Sequence, residues 1–174
     1  LSMIVHGVMV RSNQFGAFLN QSFNVHMSNL RVWDNLQGGI DVLNGRTTTL
    51  VNATFVANSN FSYRLEGSVA DVIQNNIFYI SYTNTAALAG LTSSIYNASI
   101  DYNVYYFAQP TSFIYGTYRT LLPWQLDRLK DYRSAITHPL MNDVANGDFH
   151  LQSQHGRYSG GTFVTDAQSS WAID

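Results

Sequence analysis

Cysteine is absent from the chain, which excludes a disulfide framework, a thiolate nucleophile and a zinc site with cysteine ligands. Charge is also scarce, because only 11% of the 174 residues are charged and Lys130 is the only lysine beside eight arginines. A partner rich in phosphates requires clustered lysine and arginine, so this composition, with a net charge of −2, argues against nucleic acid. No apolar run reaches the roughly 18 residues of a membrane-spanning helix, and the first residues do not have the basic and then apolar pattern of a signal peptide.

Apolar and amide side chains are abundant in this chain, in contrast to charged ones. Hydrophobic residues make up 45% of the chain and aromatic residues 14%, which is enough to build one domain with a packed core. Asparagine is frequent, and four asparagines begin Asn-x-Ser/Thr sequons, a number that this composition produces readily by chance. These are Asn20, Asn52, Asn60 and Asn97, and their glycosylation stays an open question.

A repeat of constant length runs through the first half of the chain. Four segments align without a gap, beginning at His6, Asn29, Asn52 and Asn75. The aligned positions form columns that are apolar in every repeat: Met9, Val32, Phe55 and Phe78; Met27, Leu50 and Ile73; Ala17, Ile40 and Tyr63; Leu19, Val42 and Leu65. Along short stretches, as between Ala17 and Leu19, these positions lie two residues apart, the spacing of side chains on one face of a β-strand, so we expect them to face inward. The pattern predicts an all-β, right-handed parallel β-helix with three short strands in each 23-residue coil.

Two further columns contain residues that are typical of turns. Asn29, Asn52 and Asn75 align, headed by His6, and predict a ladder of hydrogen bonds between successive coils at the strand spacing of about 4.8 Å. Gly16 and Gly39 share the second column, where the chain turns into the next strand.

The strict period ends after Ser81. Residues 82–98 are interpreted as an insertion into the fourth coil, and residues 99–107 resume the pattern with Asn103 in the place of Asn76. The interpretation therefore divides the chain into β-helix coils over 1–107 and an irregular cap over 108–174, packed on the last coil as part of one structural domain. Within the cap we expect one short helix at 124–130 and a strand at 148–151.

Four segments together resemble the C-terminal part of bacterial right-handed parallel β-helix repeat proteins. They are the run from Asp101 to Tyr106, Trp124, the run from Pro139 to Leu151 that contains Asn-Gly-Asp-Phe-His-Leu, and the terminal Ala-Ile-Asp. Such proteins belong to the pectin-lyase-like superfamily, whose members include polysaccharide lyases, glycosidases and secreted proteins without a known activity. The resemblance implies an extracellular or cell-surface location and a piece of a longer chain. In that case the N-terminal coil is covered by preceding residues or by another chain, because an open strand edge promotes aggregation.

Outward columns supply the candidate site. Asp41 and Arg64 are predicted neighbours on adjacent coils, and Glu66 lies two residues beyond Arg64. Two carboxylates about 8 Å apart fit the acid and base of a glycosidase, whereas a surface ion pair between Asp41 and Arg64 is the simpler reading. Trp33, with Phe18 and Tyr79, faces outward and is suited to stacking on sugar rings.

These observations leave two functions open. One is an extracellular module that binds or degrades polysaccharide through substrate-binding residues Asp41, Arg64, Glu66 and Trp33, with no catalytic residue assigned. The other is a non-catalytic structural or adhesive solenoid segment of a larger surface protein. No metal or cofactor motif is present, because the five histidines lack ligand spacing and no phosphate-binding or dinucleotide-binding loop occurs.

Overall fold

A computed structural model describes residues 2–173. They divide into two compact units, 2–136 and 137–173.

The first unit is a parallel β-solenoid of about five turns. Four successive coils each contribute three strands: β1 (Met3–His6), β2 (Met9–Arg11) and β3 (Phe15–Asn20); β4 (Val25–Ser28), β5 (Arg31–Trp33) and β6 (Gly38–Leu43); β7 (Thr49–Val51), β8 (Thr54–Val56) and β9 (Phe61–Glu66); β10 (Val72–Gln74), β11 (Ile77–Ile80) and β12 (Ala86–Gly90). Helix α1 (Thr92–Asn97), β13 (Ser99–Asp101), β14 (Val104–Phe107), helix α2 (Leu121–Arg128) and β15 (Ala135–Ile136) follow.

Equivalent strands of successive coils pair in parallel and form three sheets. Sheet A contains β1, β4, β7, β10 and β13; sheet B contains β2, β5, β8, β11, β14 and β15; sheet C contains β3, β6, β9 and β12. The predicted columns are present, because Leu50 pairs with Ile73, Phe55 with Phe78, and Ile40 with Tyr63, each pair joining equivalent positions of adjacent coils. All six side chains are buried in one core. The repeat in the sequence therefore corresponds to the register in which the coils are stacked.

The first coil departs from the predicted register by one residue. In sheet B Val10, and not Met9, pairs with Val32, because the offset between β2 and β5 is one residue shorter than the repeat. Successive side chains on a strand point to opposite faces, so Met9 is turned outward opposite Arg31. The prediction that Met9 heads an inward column was therefore wrong.

The asparagine column stacks as predicted but does not form the predicted ladder. Asn29, Asn52 and Asn75 have φ values of 54°, 54° and 56° and are exposed, so they serve as left-handed turn residues, which asparagine tolerates well. Gly7, with a φ of 66°, occupies this place in the first coil, and His6 instead contacts Ser28. The expectation that His6 heads the column was wrong.

Buried amide ladders lie elsewhere in the stack. Asn35 donates to Asn58 at 2.7 Å, and Asn76 donates to Asn103 at 3.1 Å, which confirms the predicted equivalence of Asn76 and Asn103. Each ladder also receives backbone N–H groups, for example that of Ala53 on Asn76 at 2.9 Å. A buried side-chain amide is thereby satisfied without water.

Glycine is required where Gly39 meets the next coil. A Cβ atom at this position would lie 2.1 Å from the carbonyl oxygen of Ser62, and one at Gly16 would lie 2.8 Å from the carbonyl oxygen of Gly39. The glycine column is thus explained by the close approach of two backbones.

The fourth coil contains the expected insertion. Leu88 pairs with Tyr63 and Tyr105 pairs with Phe78, so the offset between equivalent positions of adjacent coils increases in two steps along this coil. The additional residues extend the turn before β12 and form α1, a helix that the sequence analysis did not predict. The one helix that was expected, at 124–130, is present as α2, which begins three residues earlier than predicted and ends before Leu129.

The second unit consists of two small antiparallel pairs. Strands β16 (Met141–Asp143) and β17 (Asp148–Leu151) are joined by a 3₁₀ turn at Val144–Asn146, and β18 (Arg157–Ser159) pairs with β19 (Thr162–Val164). The predicted strand at 148–151 is confirmed. Arg157 anchors this unit through two hydrogen bonds to Asp166, at 2.7 and 3.0 Å.

Candidate functional site

Three of the four predicted binding residues come together on the outer face of sheet C. Asp41 of β6 pairs in register with Arg64 of β9, and Glu66 lies two residues farther along β9. Arg64 donates from Nε to Asp41 Oδ1 at 2.8 Å and from Nη2 to Oδ2 at 2.5 Å, and its Nη1 lies 3.7 Å from Glu66 Oε1. We call Asp41, Arg64 and Glu66 the carboxylate–arginine cluster.

Arg64 is held from two sides in this cluster. Asp41 is only 2% exposed, and the hydrogen bond to its carboxylate raises the pKa of Arg64. The guanidinium also lies 4.7 Å from the centre of the Phe61 ring. The Phe61 ring stacks on the Phe15 ring, with their centres 6.2 Å apart. Phe61 lies over Gly38 in this arrangement, which is possible because glycine has no side chain.

This geometry restricts the chemistry that the cluster can perform. A glycosidase needs one carboxyl group that donates a proton and one carboxylate that acts as base or nucleophile. Here Arg64 occupies both oxygens of Asp41 and also contacts Glu66, whose side chain is 39% exposed. The cluster therefore has the form of a bidentate ion pair with one carboxylate open to solvent.

Trp33, the fourth predicted residue, lies on sheet B and not with the other three. It belongs to a column that runs across the outer face of this sheet through β2, β5, β8, β11 and β14. The register aligns Arg11, Trp33, Val56, Tyr79 and Tyr106, a set that we call the aromatic stripe. The inward column beside it contains Val10, Val32 and Phe55, which establishes that the stripe faces outward.

Contacts between neighbours order the aromatic stripe. The ring centres of Tyr79 and Tyr106 are 4.8 Å apart, and the Arg11 guanidinium lies 5.4 Å from the centre of the Trp33 ring. Burial, together with the nearby Tyr106, raises the pKa of Tyr79. Val56 lies between Trp33 and Tyr79 in the column and is almost fully buried, so the accessible part of this section of the stripe comes from the two aromatic residues.

Two members of the aromatic stripe, Arg11 and Tyr106, were not predicted from the sequence, because the period changes at their coils. Arg11 is one residue closer to Trp33 than the repeat requires, and Tyr106 is four residues farther from Tyr79. The signal for Tyr106 is the aromatic run Tyr105-Tyr106-Phe107, which alternates between the core and the outside. Phe18, the other aromatic residue noted in the sequence, is exposed on sheet C in register with Asp41.

A buried carboxylate lies inside the coils at Asp71. Its Oδ1 accepts the Thr48 backbone N–H at 2.9 Å, whereas its Oδ2, Thr48 Oγ1 and Tyr63 Oη are buried without a hydrogen-bond partner. Burial raises the pKa of Asp71, and the hydrogen bond from the Thr48 backbone N–H opposes this effect. Asp71 is enclosed by the stack and so belongs to the interior.

The part of the chain that the structure describes contains neither a group of metal-ligating side chains nor a helix that could span a membrane. No three histidine or acidic side chains among residues 2–173 are grouped to hold a metal ion. Within the same range, no helix has the length and apolar character needed to cross a bilayer. Comparison of the chain with protein-family models, with curated proteins and with solved structures finds no match.

Proposed function

We propose that this chain is a carbohydrate-binding module of the parallel β-helix type, whose aromatic stripe holds an extended polysaccharide outside the cell. The observation that carries the proposal is the alignment of Trp33, Tyr79 and Tyr106 in one outward column of sheet B. Aromatic side chains offer flat apolar surfaces, which suit the C–H faces of sugar rings.

The spacing of the stripe supports an extended ligand. Coils are stacked at about 4.8 Å, so Trp33 and Tyr79, two coils apart, are separated by about 10 Å along the stack. This separation is close to the length of a disaccharide in an extended chain. A polysaccharide that runs along the stack can therefore place alternate rings on Trp33 and Tyr79.

The carboxylate–arginine cluster supports binding of polysaccharide and not its cleavage. Arg64 engages both oxygens of Asp41, so this carboxylate is a poor candidate for a base or a nucleophile. The proposed relationship to the pectin-lyase-like superfamily rests on the coil architecture and the resembling segments, and it extends to the fold and not to lyase chemistry.

The binding test uses the full chain and a panel of neutral oligosaccharides, with affinity measured by titration calorimetry. We expect Trp33→Ala and Tyr79→Ala each to weaken binding by up to about tenfold, because a stacked aromatic ring contributes about 0.5–1.5 kcal/mol. Tyr158→Ala, an exposed aromatic residue of the second unit, is the matched control. Equal affinities of all three variants and the parent chain would overturn the proposal.

The catalytic alternative has its own assay. Polysaccharides are incubated with the full chain and examined for new reducing ends and for unsaturated uronate products. We expect neither product. Turnover that is lost in both Asp41→Asn and Glu66→Gln would replace binding by degradation as the function.

A structural or adhesive solenoid is the second candidate, and the first coil favours it. Strands β1, β2 and β3 each pair on one side only among the described residues, and Met3, Ile4 and Met9 are exposed along them. An open strand edge with apolar side chains promotes pairing with another strand. If this edge mediates assembly, Ile4→Lys will lower the average mass in sedimentation experiments without any effect on sugar binding.

A further inference from the structure

A groove of about 430 Å³ opens on the outer face of sheet A, away from the aromatic stripe. Its floor consists of outward side chains of β10 and β13, and the loop that follows α2 forms its wall. The floor residues are Gln74, Ser99 and Asp101, and the wall is the segment 129–133. A volume of this size falls within the usual range of small-molecule sites.

The wall of the groove is rigid because its backbone is fixed at several points. Asp131 donates its N–H to Ile100 O at 2.8 Å, and Arg133 donates its N–H to Asp101 Oδ1 at 2.7 Å. Gln125 of α2 also donates to Asp131 O at 2.7 Å. A wall that is already ordered loses little entropy when a ligand binds.

Lys130 lines this groove, and its ammonium group has only neutral hydrogen-bond partners. Its Nζ donates to the backbone oxygens of Tyr96 at 2.8 Å and Ala98 at 2.5 Å, at the end of α1. No carboxylate of residues 2–173 lies within 4.0 Å of this ammonium group. Burial lowers the pKa of Lys130, and the nearby Asp131 only partly opposes the effect. An anion bound in the groove would stabilise the charged form, and one N–H of the ammonium is left to bind it.

A second cation faces the same groove. The Arg133 guanidinium lies 4.6 Å from the centre of the Tyr102 ring and 3.3 Å from Asp101 Oδ2. Tyr132 also lines the groove and is exposed. The Asp131 carboxylate acts electrostatically on Lys130, but it is fully buried and accepts its hydrogen bonds from inside the stack, so it does not contact a ligand in the groove. Lys130 and Arg133 therefore supply the charged donors at the groove surface, where Arg133 also pairs with Asp101.

We infer that this groove binds an oxyanion, a carboxylate or a sulfate group, carried by a hydroxyl-rich ligand such as an acidic oligosaccharide. Lys130 and Arg133 bind the oxyanion through charge-assisted hydrogen bonds. Gln74, Ser99 and Asp101 supply the amide, hydroxyl and carboxylate groups that hydrogen-bond to sugar hydroxyls. The inference rests on the charge and shape of the groove and does not require the aromatic stripe.

The test measures binding of three probes to the full chain by calorimetry at fixed salt concentration. The probes are a hyaluronan hexasaccharide, its carboxyl-reduced neutral form and sodium sulfate. We expect the acidic hexasaccharide to bind at least tenfold more tightly than the other two. Equal binding of the neutral form overturns the anion assignment, and equal binding of sulfate overturns the saccharide assignment.

Variants locate the site. Lys130→Met and Arg133→Gln are each expected to weaken binding of the acidic hexasaccharide at least tenfold, whereas Arg46→Gln, an exposed arginine in a turn outside the groove, has no effect. Equal weakening by all three substitutions would reveal diffuse attraction and overturn the inference. If Lys130→Met fails to fold, Arg133→Gln carries the test, since the Arg133 side chain is 66% exposed.

Because Lys130 is the only lysine, an amine-reactive reagent reports on it directly. Peptide mapping distinguishes its label from that on the N-terminal amine. The hexasaccharide should slow labelling of Lys130 in the parent chain and in Trp33→Ala alike. Unchanged labelling at saturating hexasaccharide overturns the inference, and the Trp33→Ala result separates this site from the aromatic stripe.

Discussion

Trp124 donates its indole N–H to Asp131 Oδ2 at 2.7 Å, and both side chains are fully buried at the end of the coil stack. The same carboxylate accepts the Tyr105 hydroxyl at 2.7 Å, the Asn103 amide at 3.2 Å and the Ser134 hydroxyl. Asp131 thus ends the Asn76–Asn103 ladder and ties α2 and its following loop to the last coil. Four hydrogen bonds compensate for the burial of this carboxylate.

Replacement of Asp131 tests this role. Asp131→Asn presents an amide N–H₂ group to partners that are themselves donors, so we expect a loss of about 2–4 kcal/mol in the free energy of unfolding. Urea denaturation followed by fluorescence of the buried tryptophan measures it. Asp34→Asn, at an exposed position, serves as the control, and a loss no greater than that of the control would contradict the role.

The two neighbouring asparagines of the fourth coil make contrasting predictions. Asn76→Ala removes the partners of Ala53, Leu50 and Asn103 from a buried ladder and should cost about 2–4 kcal/mol. Asn75 lies in an exposed left-handed turn, so Asn75→Gly should change the free energy of unfolding by less than about 1 kcal/mol. Thermal unfolding of both variants decides the matter, and similar losses would show that the ladder was assigned to the wrong column.

Gly39 should not accept any side chain. The Cβ atom of Gly39→Ala would lie 2.1 Å from a backbone oxygen of the adjacent coil, so the strands must separate locally, at a cost of about 2–3 kcal/mol. Gly116→Ala is a control with open space around the new atom, where only the left-handed backbone costs about 1 kcal/mol. Equal unfolding midpoints for the two variants would refute the predicted contact.

Arg64 should matter more for stability than Glu66. Arg64→Met leaves the buried Asp41 carboxylate without its partner, and we expect a loss of about 1–3 kcal/mol. Glu66→Gln alters a more exposed contact at 3.7 Å and should cost less than about 0.5 kcal/mol. Chemical denaturation at low and high salt compares the two, and a larger loss for Glu66→Gln would be evidence against the described geometry.

Asp71 predicts a pH dependence of definite sign. Its pKa is raised in the folded chain by burial, so the unfolded chain ionises first as the pH rises. The contribution of Asp71 to stability is therefore fully present below its unfolded pKa and is lost as the pH rises through its folded pKa. Asp71→Asn keeps an acceptor for the Thr48 N–H, so its stability relative to the parent chain should increase over this interval. Denaturation curves from pH 3 upward test this, and a constant difference would contradict it.

The coil period, the inward columns and the Asn76–Asn103 equivalence could be predicted from the order of the residues alone. These features follow from local alternation in strands and from loops of equal length, which the order of the residues displays directly. Asp41, Arg64 and Glu66 were brought together for the same reason, because their coils keep the constant spacing of the repeat.

Features that depend on a change of spacing or on contacts between distant residues could not be predicted in this way. One residue fewer between the first two coils turned Met9 outward, and four residues more in the fourth coil, two before β12 and two after it, made room for α1 and aligned Tyr106 with Tyr79. The burial of Asp131 and the charge of the groove near Lys130 depend on how the loop after α2 packs against the last coil. No periodic pattern records such packing, because each of these contacts is made only once in the chain.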